Sequence, residues 1–306
     1  MDSSLIVFHQ VGVMALLIAI GLISVKKKLI STSIVKELSN ILLYLVVPAL
    51  LIRSYSKEIK KEELIGLGFA FLLSILFHIV AILISKIFKN NMIEKLGMIY
   101  SNCGFMAFPI LSVVLGDKGV FYGAAFVAIF NIMIWTSGLK MLTGDKKLNL
   151  KKSILNPGCV AAFLGIITYC LQINYPKIVS DTMDFLAALN TPLAMLCIGV
   201  LLSKIKWKAI LKDINLLKVT FIKNIFIPII FILLIVVMHL PSINETARQV
   251  CITIILCGAC PAASSISIIP ASLDMDGERG AEIVAITTLF SIITLPLVSY
   301  ITFKIL

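Results

Sequence analysis

The chain has 306 residues, of which 59% are hydrophobic and 14% charged, with a net charge of +11. Soluble proteins carry roughly 45–50% apolar and about 25% charged residues, so composition excludes a water-soluble fold. Ten crossings of about 20 residues each would leave roughly 100 for termini and connections, too few for an added catalytic domain.

Ten apolar stretches lie between charge clusters and turn residues, at about 4–25, 33–55, 64–86, 95–116, 119–142, 155–174, 180–203, 216–239, 248–271 and 281–303. The first follows Met1-Asp2-Ser3-Ser4, which has no basic region, and precedes Lys26-Lys27-Lys28, so it reads as a membrane helix and not as a cleavable signal. Span two carries Tyr44 and Pro48. Span three has no acid; His78 lies in its interior and Lys86 at its end. Span four holds Ser101-Asn102-Cys103-Gly104-Phe105-Met106-Ala107-Phe108-Pro109, and span five is followed by a basic loop at 143–154. Span seven has Asp184 near its outer end and Asn190-Thr191-Pro192 at its middle. Span eight places Lys223 five residues before Pro228, and span nine holds Cys257-Gly258-Ala259-Cys260-Pro261-Ala262-Ala263-Ser264-Ser265.

Distributing Lys and Arg over alternate connections puts eighteen of the 27 on one side and eight on the other, with Lys223 inside a span. The positive-inside rule then predicts a multi-pass protein of the plasma membrane, with both termini extracytoplasmic and the 143–154 loop in the cytoplasm. The basic excess is thereby read as topology, and nucleic acid is not expected as a partner.

Ten spans divide five and five, with residues 1–145 as one repeat, 146–154 as the cytoplasmic connection and 155–306 as the second repeat. Five is odd, so the second half would enter the membrane from the opposite side, an inverted repeat of the kind found in secondary transporters. Pro48 and Pro109 in spans two and four correspond to Pro192 and Pro261 in spans seven and nine. Proline removes a backbone donor and clashes with the preceding turn, so spans four and nine are expected to break near their centres. Non-helical backbone at that depth must be buried in protein or line a water-filled cavity. Half-helix N-termini in such a cavity carry positive partial charge, and no carboxylate falls at the midplane, which together favour an anion. The competing reading is that Gly and Pro mark only kinks and close packing.

Asn102 is the first candidate ligand, because its amide offers two donors and can also accept; Cys103, Gly104 and Pro109 accompany it. From the second half come Cys260, Pro261, Ala262, Ser264 and Ser265, whose alternative role is small-residue packing. Asn190, Thr191 and, more weakly, Tyr44 lie at similar depth. Lys223 is expected to attract the anion, to anchor a scaffold or to snorkel to the interface. His78 is either a titrating group or a hydrogen-bonded packing residue. Cys257 and Cys260 form a C-x-x-C pair that reads as packing in this setting. All seven cysteines lie in spans, so no disulfide framework is expected. The histidines make no zinc motif, and no nucleophile elbow, phosphate loop or dinucleotide fingerprint appears in a meaningful setting. An enzyme, a metal and a cofactor are therefore not expected.

These residues resemble the auxin efflux carrier family, which includes the plant PIN-FORMED carriers and bacterial permeases proposed to move malate or malonate. The likeness runs through Leu38-Ser39-Asn40 to Pro48-Ala49-Leu50, Asn102-Cys103-Gly104-Phe105 to Pro109, Trp135-Thr136-Ser137-Gly138, Asn156-Pro157, Thr191-Pro192-Leu193-Ala194 to Gly199, Pro261-Ala262-Ala263 and Thr294-Leu295-Pro296-Leu297. The resemblance implies an all-α fold of ten transmembrane helices in two inverted five-helix repeats, with spans four and nine crossing as broken helices and an elevator-like movement of a transport domain. It implies that Asn102 matches the crossover asparagine that contacts the substrate carboxylate. One departure is that the plant carriers place an Asp and a Lys in span three, whereas 64–86 here has no acid and, in its interior, only His78. The expected function is a secondary active transporter or uniporter exporting an organic carboxylate, malate-, malonate- or auxin-like. A sodium- or proton-coupled importer is the nearest alternative, and an anion channel a more distant one. The partners expected are a small organic anion and the lipid bilayer, and a homodimer is compatible with this reading.

Overall fold

The computed structural model describes residues 3–56, 58, 60–144, 157–271, 273, 275 and 277–306. The connecting loop expected at 146–154 lies outside the described residues. Regular secondary structure among them is helical: α1 (Ser3–Lys26), α2 (Ile34–Tyr55), α3 (Lys61–Ile87), α4 (Met92–Ile99), α5 (Cys103–Thr143), α6 (Pro157–Leu171), α7 (Lys177–Leu202), α8 (Trp207–Ile210), α9 (Ile214–Val237), α10 (Glu245–Ala259), α11 (Ser265–Ala271) and α12 (Gly277–Ile305).

Seven of these, α1, α2, α3, α5, α7, α9 and α12, are long and apolar enough to cross a membrane. The ten sequence stretches map onto them unevenly. Spans four and nine are each divided into two shorter helices, and span six is the 15-residue α6. The 41-residue α5 contains the second part of span four and all of span five, joined at Gly116, whose φ of 61° and ψ of −150° interrupt the helix. That conformation is open to glycine because it has no Cβ.

Three helices begin on side-chain caps that satisfy amides left free at a helix start. Asn91 accepts from the Glu94 N–H at 2.8 Å, Asp213 from Asn215 at 2.9 Å and Leu216 at 3.2 Å, and Asn244 from Ala247 at 2.8 Å.

Three prolines inside the spans are accommodated in a common way. Pro48, Pro109 and Pro228 each follow a π turn, over Leu42–Val46, Cys103–Ala107 and Ile222–Phe226 respectively. The carbonyl four residues before each proline, that of Tyr44, Phe105 or Asn224, falls within that turn, and widening it relieves the clash proline makes there. Pro109 is therefore not the break expected of it. The chain leaves the helix earlier, at Tyr100–Asn102, and Pro109 sits buried inside the helix that resumes.

Helix α1 packs most extensively against the second half of α7. Gly21 and Gly199 allow it: a Cβ at Gly199 would strike the Ile18 carbonyl and one at Gly21 the Leu196 carbonyl, so the backbones approach through small residues as membrane helices commonly do. The interior is aromatic. Phe77 makes edge contacts with Phe126 and Phe231 at 5.5 and 5.1 Å, and Tyr55, Phe121 and Tyr169 form a second cluster. Outward-facing side chains such as Phe8, Leu16, Leu72, Ile178, Phe185 and Ile293 are largely exposed, a surface suited to lipid and not to water.

Ion pairs gather near the ends of the helices. Arg279 binds Glu94 at 2.6 Å, Asp213 at 2.8 Å and Glu282 at 3.1 Å, drawing together the starts of α4, α9 and α12. Arg53 pairs with Asp184 at 2.7 Å at the surface, so Asp184 has a partner as well as solvent.

Candidate functional site

Both expected breaks are present, and each completes the other. Helix α4 ends at Ile99, with Tyr100 extended, and α5 begins at Cys103; α10 ends at Ala259, with Cys260 extended. The Asn102 N–H donates to the Pro261 carbonyl at 2.7 Å, and the Ala263 N–H donates to the Tyr100 carbonyl at 3.0 Å. Ser101 and Ala262 are thereby paired as an antiparallel bridge. Each unwound segment leaves backbone groups without helical partners, and the reciprocal bonds satisfy several of them in an environment where an unpaired group is costly.

Side chains from three other helices secure the crossing. Thr287 on α12 accepts from the Ala262 N–H at 3.1 Å, and Asn224 on α9 donates to the Thr287 carbonyl at 2.9 Å. Asn190 on α7 donates to the Gly104 carbonyl at 3.2 Å. The Tyr100 hydroxyl reaches the Met133 carbonyl at 2.9 Å and Ser137 at 2.8 Å, tying the first break to the π turn at Ile134–Gly138.

Lys223 is fully buried. Its Nζ donates to Ser101 Oγ at 2.5 Å and to the Gly258 carbonyl at 3.1 Å, while Ser101 Oγ also donates to the Gly258 carbonyl at 2.9 Å. The snorkelling alternative is corrected by these contacts, because the side chain turns inward to join the two breaks. His78 is also buried, with Nδ1 against the Ser74 carbonyl at 2.8 Å and its ring beside Phe126 and Tyr100. It lies outside the cavity lining, and Nε2 has no partner among the described residues.

A cavity of ≈ 320 Å3 opens beside the crossing. Its polar lining comes from Ser39, Tyr44, Ser101, Asn102, Asn131, Ser264 and Ser265, and its apolar walls include Phe105, Phe130 and Trp135. Among the described residues that line it none is charged. Asn102 is 4% exposed, and its Nδ2 has no hydrogen-bond partner among the described residues. A buried amide donor left unpaired at a cavity wall is a position for a ligand acceptor.

Of the candidates from sequence, Tyr44, Asn102, Cys103, Gly104, Ser264 and Ser265 line this cavity. Cys260, Pro261 and Ala262 are buried in the paired backbone behind it. Pro109 lies further along α5, Asn190 supports the Gly104 carbonyl, and Thr191 is half-buried outside the lining. Ser39, Ser101, Asn131, Phe105, Phe130 and Trp135 join the site without having been singled out as ligands. A signal existed for several of them: Ser39, Leu43, Tyr44 and Val47 share one face of α2, and Val127, Phe130, Asn131, Ile134 and Trp135 recur at helical spacing on α5.

A family model described as membrane transport protein matches residues 6–149 and 146–299. An uncharacterized transporter of Methanocaldococcus jannaschii is 23% identical over 207 residues, covering 62% of this chain and 67% of that protein.

Proposed function

The chain belongs to the membrane transport protein family, that of the auxin efflux carriers, and from that premise we propose that it is a secondary transporter of organic carboxylate anions. The observation that carries this reading is the unpaired Asn102 amide at the wall of an uncharged cavity, beside two broken helices that meet there. An amide donor, the hydroxyls of Ser264 and Ser265 and the start of α5 all suit a carboxylate, which only accepts hydrogen bonds. The described lining includes neither a carboxylate to repel an anion nor a histidine to serve a hydrolytic serine, and transport is favoured over catalysis on that ground.

In this reading the chain crosses the plasma membrane ten times as two inverted halves, with both termini outside. Alternating access is an elevator-like displacement of the crossing, together with the α9 helix bonded to it, against a scaffold of other helices. An inside-negative potential drives an anion outward by about 2.3 kcal/mol per charge per 100 mV, which makes export the natural direction. A thermal-shift screen with malate, malonate, succinate and indole-3-acetate tests the proposal. Stabilisation by at least one carboxylate, but not by the corresponding amides, is expected; no response to any carboxylate would overturn it.

A further inference from the structure

Lys223 is an ionisable group placed where its charge bears on the cavity, yet it is absent from the cavity wall. It contacts Ser101, and Ser101 is among the residues that line the cavity, so a single residue separates the amine from the space where a substrate would sit. Its other acceptor is the Gly258 carbonyl, near the end of α10, which like Ser101 is a neutral dipole. Among the described residues no carboxylate forms an ion pair with it. The titratable groups acting on it are His78 from α3, Cys103 at the start of α5 and Cys260 in the second break. None of these is an acid of the carboxylate kind.

An ammonium buried without a counter-ion is held only by dipoles, a weak arrangement compared with a paired charge. A carboxylate arriving in the cavity supplies the missing negative charge. By linkage, a proton on Lys223 and an anion in the cavity must then strengthen one another's binding reciprocally.

We propose that Lys223 is the proton site of this carrier, taking up a proton from water as an anion binds beyond Ser101 and releasing it when the anion leaves. The neutral amine, a proton and the anion combine to an ammonium facing the anion, so charge is conserved and no further reactant is needed. A monoanion then moves as a neutral pair, on which the membrane potential does no work, whereas a dianion moves with one net negative charge and keeps the outward drive described above. The inference rests on the anion-carrier reading above. It differs from a fixed scaffold role for Lys223, in which its protonation would not change with substrate.

Isothermal titration calorimetry of the purified protein in detergent tests this, with malate, malonate, succinate and indole-3-acetate in turn. Each is measured from pH 7 to pH 10 in two buffers that differ in ionisation enthalpy. The expected result is uptake approaching one proton per bound anion at some pH in this range, with affinity falling about tenfold per pH unit where Lys223 loses its proton. Lys223→Arg, which keeps the charge but does not titrate, and Lys223→Met should each bind without proton uptake, while His78→Asn should retain it. Binding by the wild type with no proton uptake at any pH would overturn the proton site and leave the anion-carrier reading standing, as would uptake lost in His78→Asn and retained in Lys223→Met. Failure of all four carboxylates to bind would overturn both.

Discussion

The backbone N–H of Asn102 donates to the carbonyl of Pro261 at 2.7 Å, so the two interrupted helices are hydrogen-bonded to one another at the point where each ceases to be helical. Neither break is self-sufficient. Ser101 and Ala262 pair, Thr287 holds the Ala262 amide, and Lys223 and Ser101 converge on Gly258, so a change in one unwound segment is felt directly by the other.

Ser101→Ala removes an acceptor from Lys223 and a donor to the Gly258 carbonyl in a fully buried setting. Lys223 and the Gly258 carbonyl keep their bond to one another, and losing a hydrogen bond to the charged group costs about 1.5–3 kcal/mol. A lower melting temperature is expected in detergent. Ser101→Thr, which keeps the hydroxyl, should recover part of the loss, and equal melting of Ser101→Ala and wild type would show that the hydroxyl holds nothing together.

The glycines at the crossing should divide sharply in their tolerance. A Cβ on Gly258 would run into the ring of Phe77, itself packed against Phe126 and Phe231, so that ring cannot easily yield. Gly258→Ala is expected to destabilise by about 1–3 kcal/mol through overpacking. Gly104 has open space at the same position, and Gly104→Ala should melt within about 0.5 kcal/mol of wild type while narrowing the cavity. Equal melting of the two variants would contradict this packing.

Much of this site was legible in the sequence, and the limits have a physical cause. Glycine, small polar residues and proline in the middle of two apolar stretches located both breaks, because those residue types weaken a helix locally. The prolines misled over the exact place of the first one: a π turn absorbs Pro109, and the chain unwinds ahead of it. The destination of Lys223 was not legible, since its partners are a hydroxyl 122 residues away and a backbone carbonyl 35 residues away. A search for an acidic partner by sequence distance finds none. Asn131 and Ser39 were legible only in part: spacing groups each with neighbours on one helical face, but which way that face turns only the packing decides.

The Arg279 cluster predicts a specific dependence on acid. Hydrogen bonding from Arg279, with help from the Leu216 and Asn215 amides, holds the Asp213 carboxyl below its ordinary value. A carboxyl depressed in the folded state stabilises above its unfolded value, near pH 4, and that stability is lost as pH falls through the folded one. The melting temperature should therefore drop on acidification below about pH 4, and Asp213→Asn should both melt lower at neutral pH and lose part of that slope. An unchanged acid profile in Asp213→Asn would remove Asp213 from the cluster's contribution.

The central claim, that the crossing binds a carboxylate for transport, is tested most directly by flux of labelled malate, malonate, succinate and indole-3-acetate into vesicles reconstituted with wild type or Asn102→Ala. Saturable flux of at least one of them by the wild type is expected, competed by unlabelled carboxylate. In Asn102→Ala, checked to melt close to wild type, that flux should fall by about tenfold or more, the loss typical of one hydrogen bond to a charged group. Undiminished flux in Asn102→Ala, or no carboxylate flux by the wild type, would contradict the account.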